Sequence, residues 1–320
     1  MLPEFRATEE STLEDAAVAA FEGFTISQIR EAIASGSITL NGRRASRSAP
    51  VAPGDSISFE SAEWEPKIEP VPVDLPVLFE DESLLAVDKP AGVSVVPERG
   101  AAQWEFMGML LHHKKRCPLC AADTRYRIVH RLDRDTTGVV AIAKTADAER
   151  ALTQRFADRV VAKRYLALVA PTPRDASGAI DAPLGPGSGS RVMAVREGGK
   201  PSVTDWRVLE RFKGFALLEV SPHTGRTHQI RVHLAYAGTP LAVDPMYGGA
   251  ESVLLSAIKK GYKRRGDEKP LIDRLTLHCA SLEFPHPVTG APLSIAAPLP
   301  GDFERVLKPL RKWASDKYSR

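Results

Sequence analysis

With 320 residues, 43% of them apolar, the chain is long enough for about two cored domains. No apolar run is long enough to span a bilayer, the opening MLPEFRATEESTLED is acidic and not of the secretory-leader type, and three cysteines argue against a disulfide framework, so the expectation is a reduced, cytoplasmic protein. The net charge of +3 conceals an asymmetry: residues 1–75 hold six Lys/Arg against thirteen Asp/Glu, and the rest of the chain is net positive by ten, which suits a polyanionic partner but fits a merely solvated surface as well.

Residues 12–60 read as a small unit. Ala16–Phe21 and Ile26–Ile33 have helical apolar spacing, whereas Ile38, Leu40, Ile57 and Phe59 alternate as in strands. Asn41-Gly42 and Pro53-Gly54-Asp55 are turn signals. Residues 61–75, rich in Pro and Glu and without apolar period, read as a linker. From Pro76 onward, short apolar runs recur between Gly, Pro and Asp, interrupted by helical stretches at about 101–113, 146–158 and 226–237, with a last helix near 301–314. Strands outnumber helices without regular alternation. The expected fold class is therefore α+β, a mixed and mostly antiparallel central sheet with flanking helices, over a domain at 76–320. The basic stretch KKGYKRRGDEK, within 250–270, reads as a surface excursion.

Three segments carry chemistry. IVHRLDRDTTGVVAIAKT (128–145) puts His130, Arg131, Asp133, Arg134 and Asp135 in a loop that enters an apolar strand. Such a density of ionisable groups is either a salt-bridged turn or a displayed site. In 221–249, His223, Arg226, His228, Arg231 and His233 crowd one short region, fit for a phosphate face. No carboxylate stands at ligand spacing there, and His228 and His233 do not share a helix face, so a metal is not expected. Lys163-Arg164-Tyr165 opens a strand, where Tyr165 serves either the core or base stacking.

Taken together, VDKPAGVSVVP, HRLDRDTTG, KRYLALV, GGKPSVTDWRVLE, GRTHQIRVH with GTPLAVDPMYG, and LTLHCASLEFPHPVTG stand in the order of the RluA family of bacterial RNA pseudouridine synthases, which the chain closely resembles over most of 76–300. The resemblance implies isomerisation of uridine to pseudouridine in structured RNA, with large-subunit ribosomal RNA expected before transfer RNA. It also implies that Asp133 is the catalytic carboxylate, that Arg226 pairs with it, that Tyr165 lies against the base and that Ile230 lines the pocket. Arg131, Arg134, Lys163 and Arg164 are candidates to hold displaced RNA backbone, and His130 is a candidate to bind substrate or shape the loop. A carboxylate kept ionised in a dry pocket by a guanidinium fits this chemistry, and the target base must be flipped out of its stack.

No cofactor is implied. Cys117 and Cys120, with His112 and His113 upstream, have zinc-knuckle spacing but lack a second pair, so no metal is expected. Residues 26–59 resemble part of the ribosomal-protein-type alpha-L RNA-binding domain, giving an expected division into 1–60, 61–75 and 76–320. Its basic start is missing, and Arg43, Arg44 and Arg47 are its basic cluster. The rival readings are a non-catalytic RNA-binding or ribosome-assembly protein and a glycosidic-bond hydrolase. The absence of an apolar surface repeat favours a monomer.

Overall fold

The computed structural model describes residues 5–7, 10–21, 24, 26–59, 68–96, 104–121, 124–187, 192–262, 266 and 268–315. The chain divides into two compact units, Met1–Leu75 with Ser94–Arg127, and Pro76–Val93 with Ile128–Arg320. Ser94–Arg127, expected within the domain 76–320, thus groups with the N-terminal residues.

In the first unit, helices Leu13–Ala20 and Ile26–Ser35 cover a three-stranded sheet in the order Phe5–Arg6, Ser56–Phe59, Ile38–Leu40. Ile38 pairs with Phe59 and Leu40 with Ile57, so the alternating residues read from sequence share the buried face. Asn41 and Gly42 both take positive φ, the tight hairpin that this dipeptide favours. Thr12 caps the first helix by accepting the N–H of Asp15. Of the basic cluster, Arg47 is paired with Glu14 at 3.4 Å, whereas Arg43 and Arg44 are exposed.

The expected linker is only partly described, because 61–67 lie outside the described residues. Its remainder is not a solvated tether. Ile68 and Leu75 are buried, and the Val71 N–H donates to Gly108 O at 2.9 Å, on helix Glu105–Lys114. Gly108 permits that approach, since a Cβ there would stand 2.6 Å from Glu69 O. The sequence expectation for residues 101–103 of this helix lies outside the described residues.

The second unit is built on one sheet, in the order Ser177–Asp181, Val203–Phe212, Phe215–Pro222, Ala162–Val169, Leu277–Pro285, Thr137–Ala143, Leu84–Lys89, Val77–Glu80, with Pro292–Ala296 added beside Leu277–Pro285. Among these strands of the described residues, Leu277–Pro285 pairs with Thr137–Ala143 in parallel and the other neighbours pair antiparallel, so the sheet is mixed and mostly antiparallel, as the apolar runs predict. Every residue of Thr137–Ala143 is buried, which places this strand inside. Helix Ala146–Ala157 follows it, capped by Thr145 accepting from the Ala148 N–H and buried through Ala148 and Leu152. Helix Gly301–Trp313 buries Phe303, Val306, Leu307 and Leu310, an i, i+3, i+4, i+7 face, against Leu168, Phe212 and Leu217.

Gly138 makes the central strand pairing possible. Its φ is +115°, and a Cβ would lie 2.1 Å from the Cys279 carbonyl oxygen. The parallel pairing of Cys279 with Gly138 thus fixes where the strand starts, and so where the loop before it emerges.

Candidate active site

A cavity of about 490 Å³ opens in the second unit, lined among others by His130, Arg131, Asp133, Thr136, Phe156, Arg159, Lys163, Tyr165, Arg226, His228, Ile230 and Arg231. Its volume is that of an ordinary small-ligand site. Asp133, Arg226, Tyr165 and Ile230 therefore meet in one place, from three distant segments. Of the other candidates, His130, Arg131 and Lys163 line the cavity. Arg134 and Arg164 do not: Arg134 donates from Nε to Gly92 O at 2.9 Å, and Arg164 faces Glu283 at 3.3 Å.

The partner of Asp133 differs from the expected one. Arg231, not Arg226, brings its Nη1 to 3.4 Å from Asp133 Oδ2. Arg231 is committed more tightly to Asp244, donating from Nε at 2.7 Å and from Nη2 at 2.8 Å, in a two-pronged pairing of almost fully buried side chains. Its guanidinium also lies 4.9 Å over the Tyr247 ring. The physical reason for the exchange is where the helix begins. Gln229–Tyr236 is helical, but His228 before it is left-handed, with φ 55°. The stretch from Arg226 to His228 is thus a turn, and helical spacing starts three residues later than the expected 226. Arg231 is projected from the helix and Arg226 from the turn.

Gln229 holds that turn. Its Oε1 accepts from Thr224 Oγ1 at 2.6 Å and from the Arg226 N–H at 3.1 Å, and its Nε2 donates to Val203 O and Thr204 Oγ1. Thr204 Oγ1 lies 2.8 Å from His233 Nδ1, and His233 Nε2 donates to Ala182 O at 3.0 Å. His233 is a buried structural group, its pKa lowered by burial. His223 pairs with Asp205 at 2.6 Å. Of the five basic groups crowded in 221–249, therefore, Arg226 and His228 face the cavity without a carboxylate partner.

The loop that carries Asp133 is anchored from both sides. Thr136 N–H donates to Asp133 O at 3.1 Å. Lys89, with no exposed surface, donates its three protons to Pro90 O, Val93 O and Arg134 O at 2.7–2.8 Å. Burial pulls Lys89 down to about 7, while the charges of Asp135 and Asp133 oppose the shift. His130 accepts the Ala141 N–H on Nε2 at 2.8 Å and stacks on Phe156 with centroids 4.6 Å apart. Burial holds it down to about 3, so it is a neutral wedge under the loop. Lys89 and Asp244 escaped the sequence reading. Their signal was a charged residue inside an apolar run, in LLAVDKP and PLAVDP, where burial demands partners.

Tyr165 is buried beside Cys279, its partner across the paired strands. Burial raises the phenol well above its ordinary value, so it is uncharged at any ordinary pH. His228 Nδ1 lies 2.7 Å from Tyr247 Oη, which accepts the Met193 N–H at 2.9 Å. Two lining atoms have no hydrogen-bond partner although buried, Thr136 Oγ1 and Arg226 Nε.

Of the residues weighed for zinc, Cys117 and Cys120 bring their thiols within 4.8 Å of each other. Cys120 Sγ lies 3.2 Å from Tyr126 Oη, and His112 Nε2 lies 3.6 Å from Asp74 Oδ1.

Comparison with known proteins agrees with this architecture. The model of the RNA pseudouridylate synthase family matches residues 83–236. The ribosomal large subunit pseudouridine synthase D of Xanthomonas campestris is 38% identical over 301 residues, covering 91% of this chain and 86% of that one. The uncharacterized RNA pseudouridine synthase YlyB of Bacillus subtilis is 34% identical over 287 residues, with 89% of each chain covered. Among solved structures, human RNA pseudouridylate synthase domain containing 4 superposes with a TM-score of 0.56 at 25% identity, covering 74% of this chain and 93% of that one. No helix among the described residues is long and apolar enough to cross a membrane. With a mixed sheet carrying the HRLD loop and the GRTHQ turn to one cavity, and with relatives alike over nearly their whole length, the chain belongs to the RluA-type RNA pseudouridine synthase family and is an RNA pseudouridine synthase.

Proposed function

We propose that the chain converts specific uridines of large-subunit ribosomal RNA to pseudouridine, with Asp133 as the carboxylate that acts on the nucleotide. One observation carries the reading. Asp133 is the single carboxylate among the cavity's lining residues, and it stands there with Tyr165 and Ile230, a flat ring and an aliphatic wall suited to a detached uracil. The choice of ribosomal RNA is supported by the name of the Xanthomonas relative and of others like it.

The reaction breaks the bond from ribose C1′ to N1 and makes one from C1′ to C5. A proton leaves C5 and one is gained at N1. Attack by Asp133 on the nucleotide and removal of a ribose proton by Asp133 make the same demand on the chain: a charged carboxylate in a pocket that excludes water. Arg231 supplies the neutralising charge. Asp244 holds the guanidinium by two short bonds, which leaves its contact with Asp133 long, so that Asp133 keeps lone pairs for the substrate. Tyr165 confines the base by contact and not by charge.

Incubation of the chain with ribosomal RNA carrying tritium at uracil C5 tests this. Release of tritium to water, with pseudouridine in the digested RNA, is expected from the wild type, and neither from Asp133→Asn. Equal release by the two would remove Asp133 from the mechanism. Release from transfer RNA alone would replace the substrate.

A further inference from the structure

Away from Asp133 the cavity wall is cationic. Arg131, Arg159, Lys163 and Arg226 line it, and among the described residues none of the four is ion-paired with a carboxylate. Other cations of the region are occupied: Arg231 by Asp244, Arg164 by Glu283, and Arg134 by Gly92 O. The four at the cavity are left for something that arrives.

Lys163 is the centre of the group. It is half-buried, donates one proton to Thr224 O at 3.2 Å, and stands 3.9 Å from where a Gly225 Cβ would be. Its ammonium thus has two further protons to give, beside the turn that carries Arg226. Burial pushes its pKa down, and Arg159 adds to the shift. Arg226 Nε is shut away from water with no acceptor. The two shielded groups, the Lys163 ammonium and Arg226 Nε, are unfavourable until an anion completes them.

Their position relative to Asp133 completes the argument. The guanidinium at Asp133 is that of Arg231, itself held by Asp244, whereas Lys163 donates to Thr224 O in the turn that leads to Arg226. Lys163 and Tyr165 stand two residues apart on one strand, across a register shift between Arg164 and Tyr165. The cavity thus has a carboxylate pole, Asp133 with Arg231, and a cation pole of groups without a carboxylate partner, and the Tyr165 ring lines the same cavity. A nucleotide has matching poles, a sugar to be worked on and a phosphodiester joined to it.

We propose that Lys163, Arg159 and Arg226 form a phosphodiester subsite, which grips the RNA backbone beside the everted uridine, and that Arg226 serves this subsite and not the Asp133 carboxylate. The subsite rests on the uridine-isomerase reading but is tested apart from it.

The probe is a synthetic RNA spanning a uridine that the wild type converts. It is made with natural phosphates, or with one uncharged methylphosphonate on the 5′ or the 3′ side of that uridine. Lys163→Met and Arg226→Met are each expected to lower kcat/KM by about 10- to 100-fold on natural RNA, the range of a hydrogen bond to a charged group. On one of the two methylphosphonate RNAs, which is already a poor substrate for the wild type, each substitution is expected to add less than about threefold. Full multiplication of the losses on both modified RNAs would overturn the subsite. Arg159, which is exposed, keeps the test open through Arg159→Met if a half-buried substitution unfolds the chain. Lys308→Met, on the far exposed surface of the C-terminal helix, removes one charge as a control. Binding of the same RNAs by Asp133→Asn separates the two proposals. Undiminished conversion by Asp133→Asn, with the pattern of binding losses intact, would sink the reading of Asp133 as the acting carboxylate and leave the phosphodiester subsite standing.

Discussion

Arg231→Met puts the carboxylate pole to a quantitative test. The substitution removes a guanidinium whose side chain is 8% exposed from an Asp244 side chain that is 1% exposed. Asp244 would keep its charge and lose both short bonds, and breaking one side of a buried pair costs about 3–5 kcal/mol. In a unit of this size each kcal/mol lowers the melting temperature by about 2–4 °C, so a fall of about 6–20 °C is expected. Arg231→Met with Asp244→Leu replaces the pair by apolar groups, and most of the stability should return, because the desolvation of both charges is relieved together. Activity should not return. Asp133 at 3.4 Å from the guanidinium has a gross attraction of about 5 kcal/mol at an effective dielectric constant of about 20. The share realised in the transition state, taken as that of one electrostatic donor, is worth about 10²–10³ in kcat. The assays are urea unfolding and tritium release on the single and double variants. A double variant as unstable as the single one would refute the account of Asp244. A stable double variant with wild-type kcat would refute the account of Arg231.

Gly138→Ala should leave little soluble protein, or destabilise it by about 4 kcal/mol or more, because the Cβ meets the Cys279 carbonyl at 2.1 Å and φ is +115°. At Gly214, also at positive φ but with open space around it, Ala should cost only about 1 kcal/mol, and soluble yield with unfolding midpoints compares the two. Acid should destabilise the second unit through its buried histidines. Burial holds His130 down to about 3 and His278 to about 4, while an unfolded histidine titrates near 6.5. Between about pH 6.5 and 4 the unfolded chain thus binds more protons, so stability falls as pH falls. The two groups together contribute about 2.7 kcal/mol per pH unit. His278→Asn should remove about half of that slope, and an unchanged slope in urea titrations from pH 6.5 to 4.5 would exclude His278 as a source.

Much of the site was legible because its parts lie in compact segments with unusual charge density. Charge density alone left a salt-bridged turn open beside a displayed site; the resemblance to the RluA family named Asp133, Tyr165, Arg226 and Ile230, and all four line the same cavity. The sheet was legible too, since Thr137–Ala143 is a continuous apolar run and Ile38, Leu40, Ile57 and Phe59 alternate. What sequence did not disclose is which arginine meets Asp133. The choice between Arg226 and Arg231 depends on where a helix starts. That start is set by a left-handed His228 and by the Gln229 side chain bonded back to Thr224, neither of which has a periodic signal. Asp244 was hidden for another reason, because its pairing with Arg231 spans thirteen residues and a change of element. The packing of Ile68 and Leu75 was masked by a composition that reads as linker.

The two arginines of the GRTHQIR stretch illustrate how one short segment serves opposite ends of a substrate. A guanidinium paired by two short bonds to the acting carboxylate would neutralise it and also occupy its lone pairs. A guanidinium absent from the pocket would leave a charge in a poorly solvated place. Asp244 resolves the conflict by taking the short bonds itself and holding Arg231 one step back from Asp133. The turn before the helix then sends Arg226 elsewhere, its Nε buried and unpartnered, in the cavity that Lys163 also lines. A helix beginning at Arg226 would set the two arginines five residues apart on one helix, about 140° around its axis. The left-handed residue at His228 breaks that relation and lets one guanidinium serve the sugar's end while the other faces the cation pole.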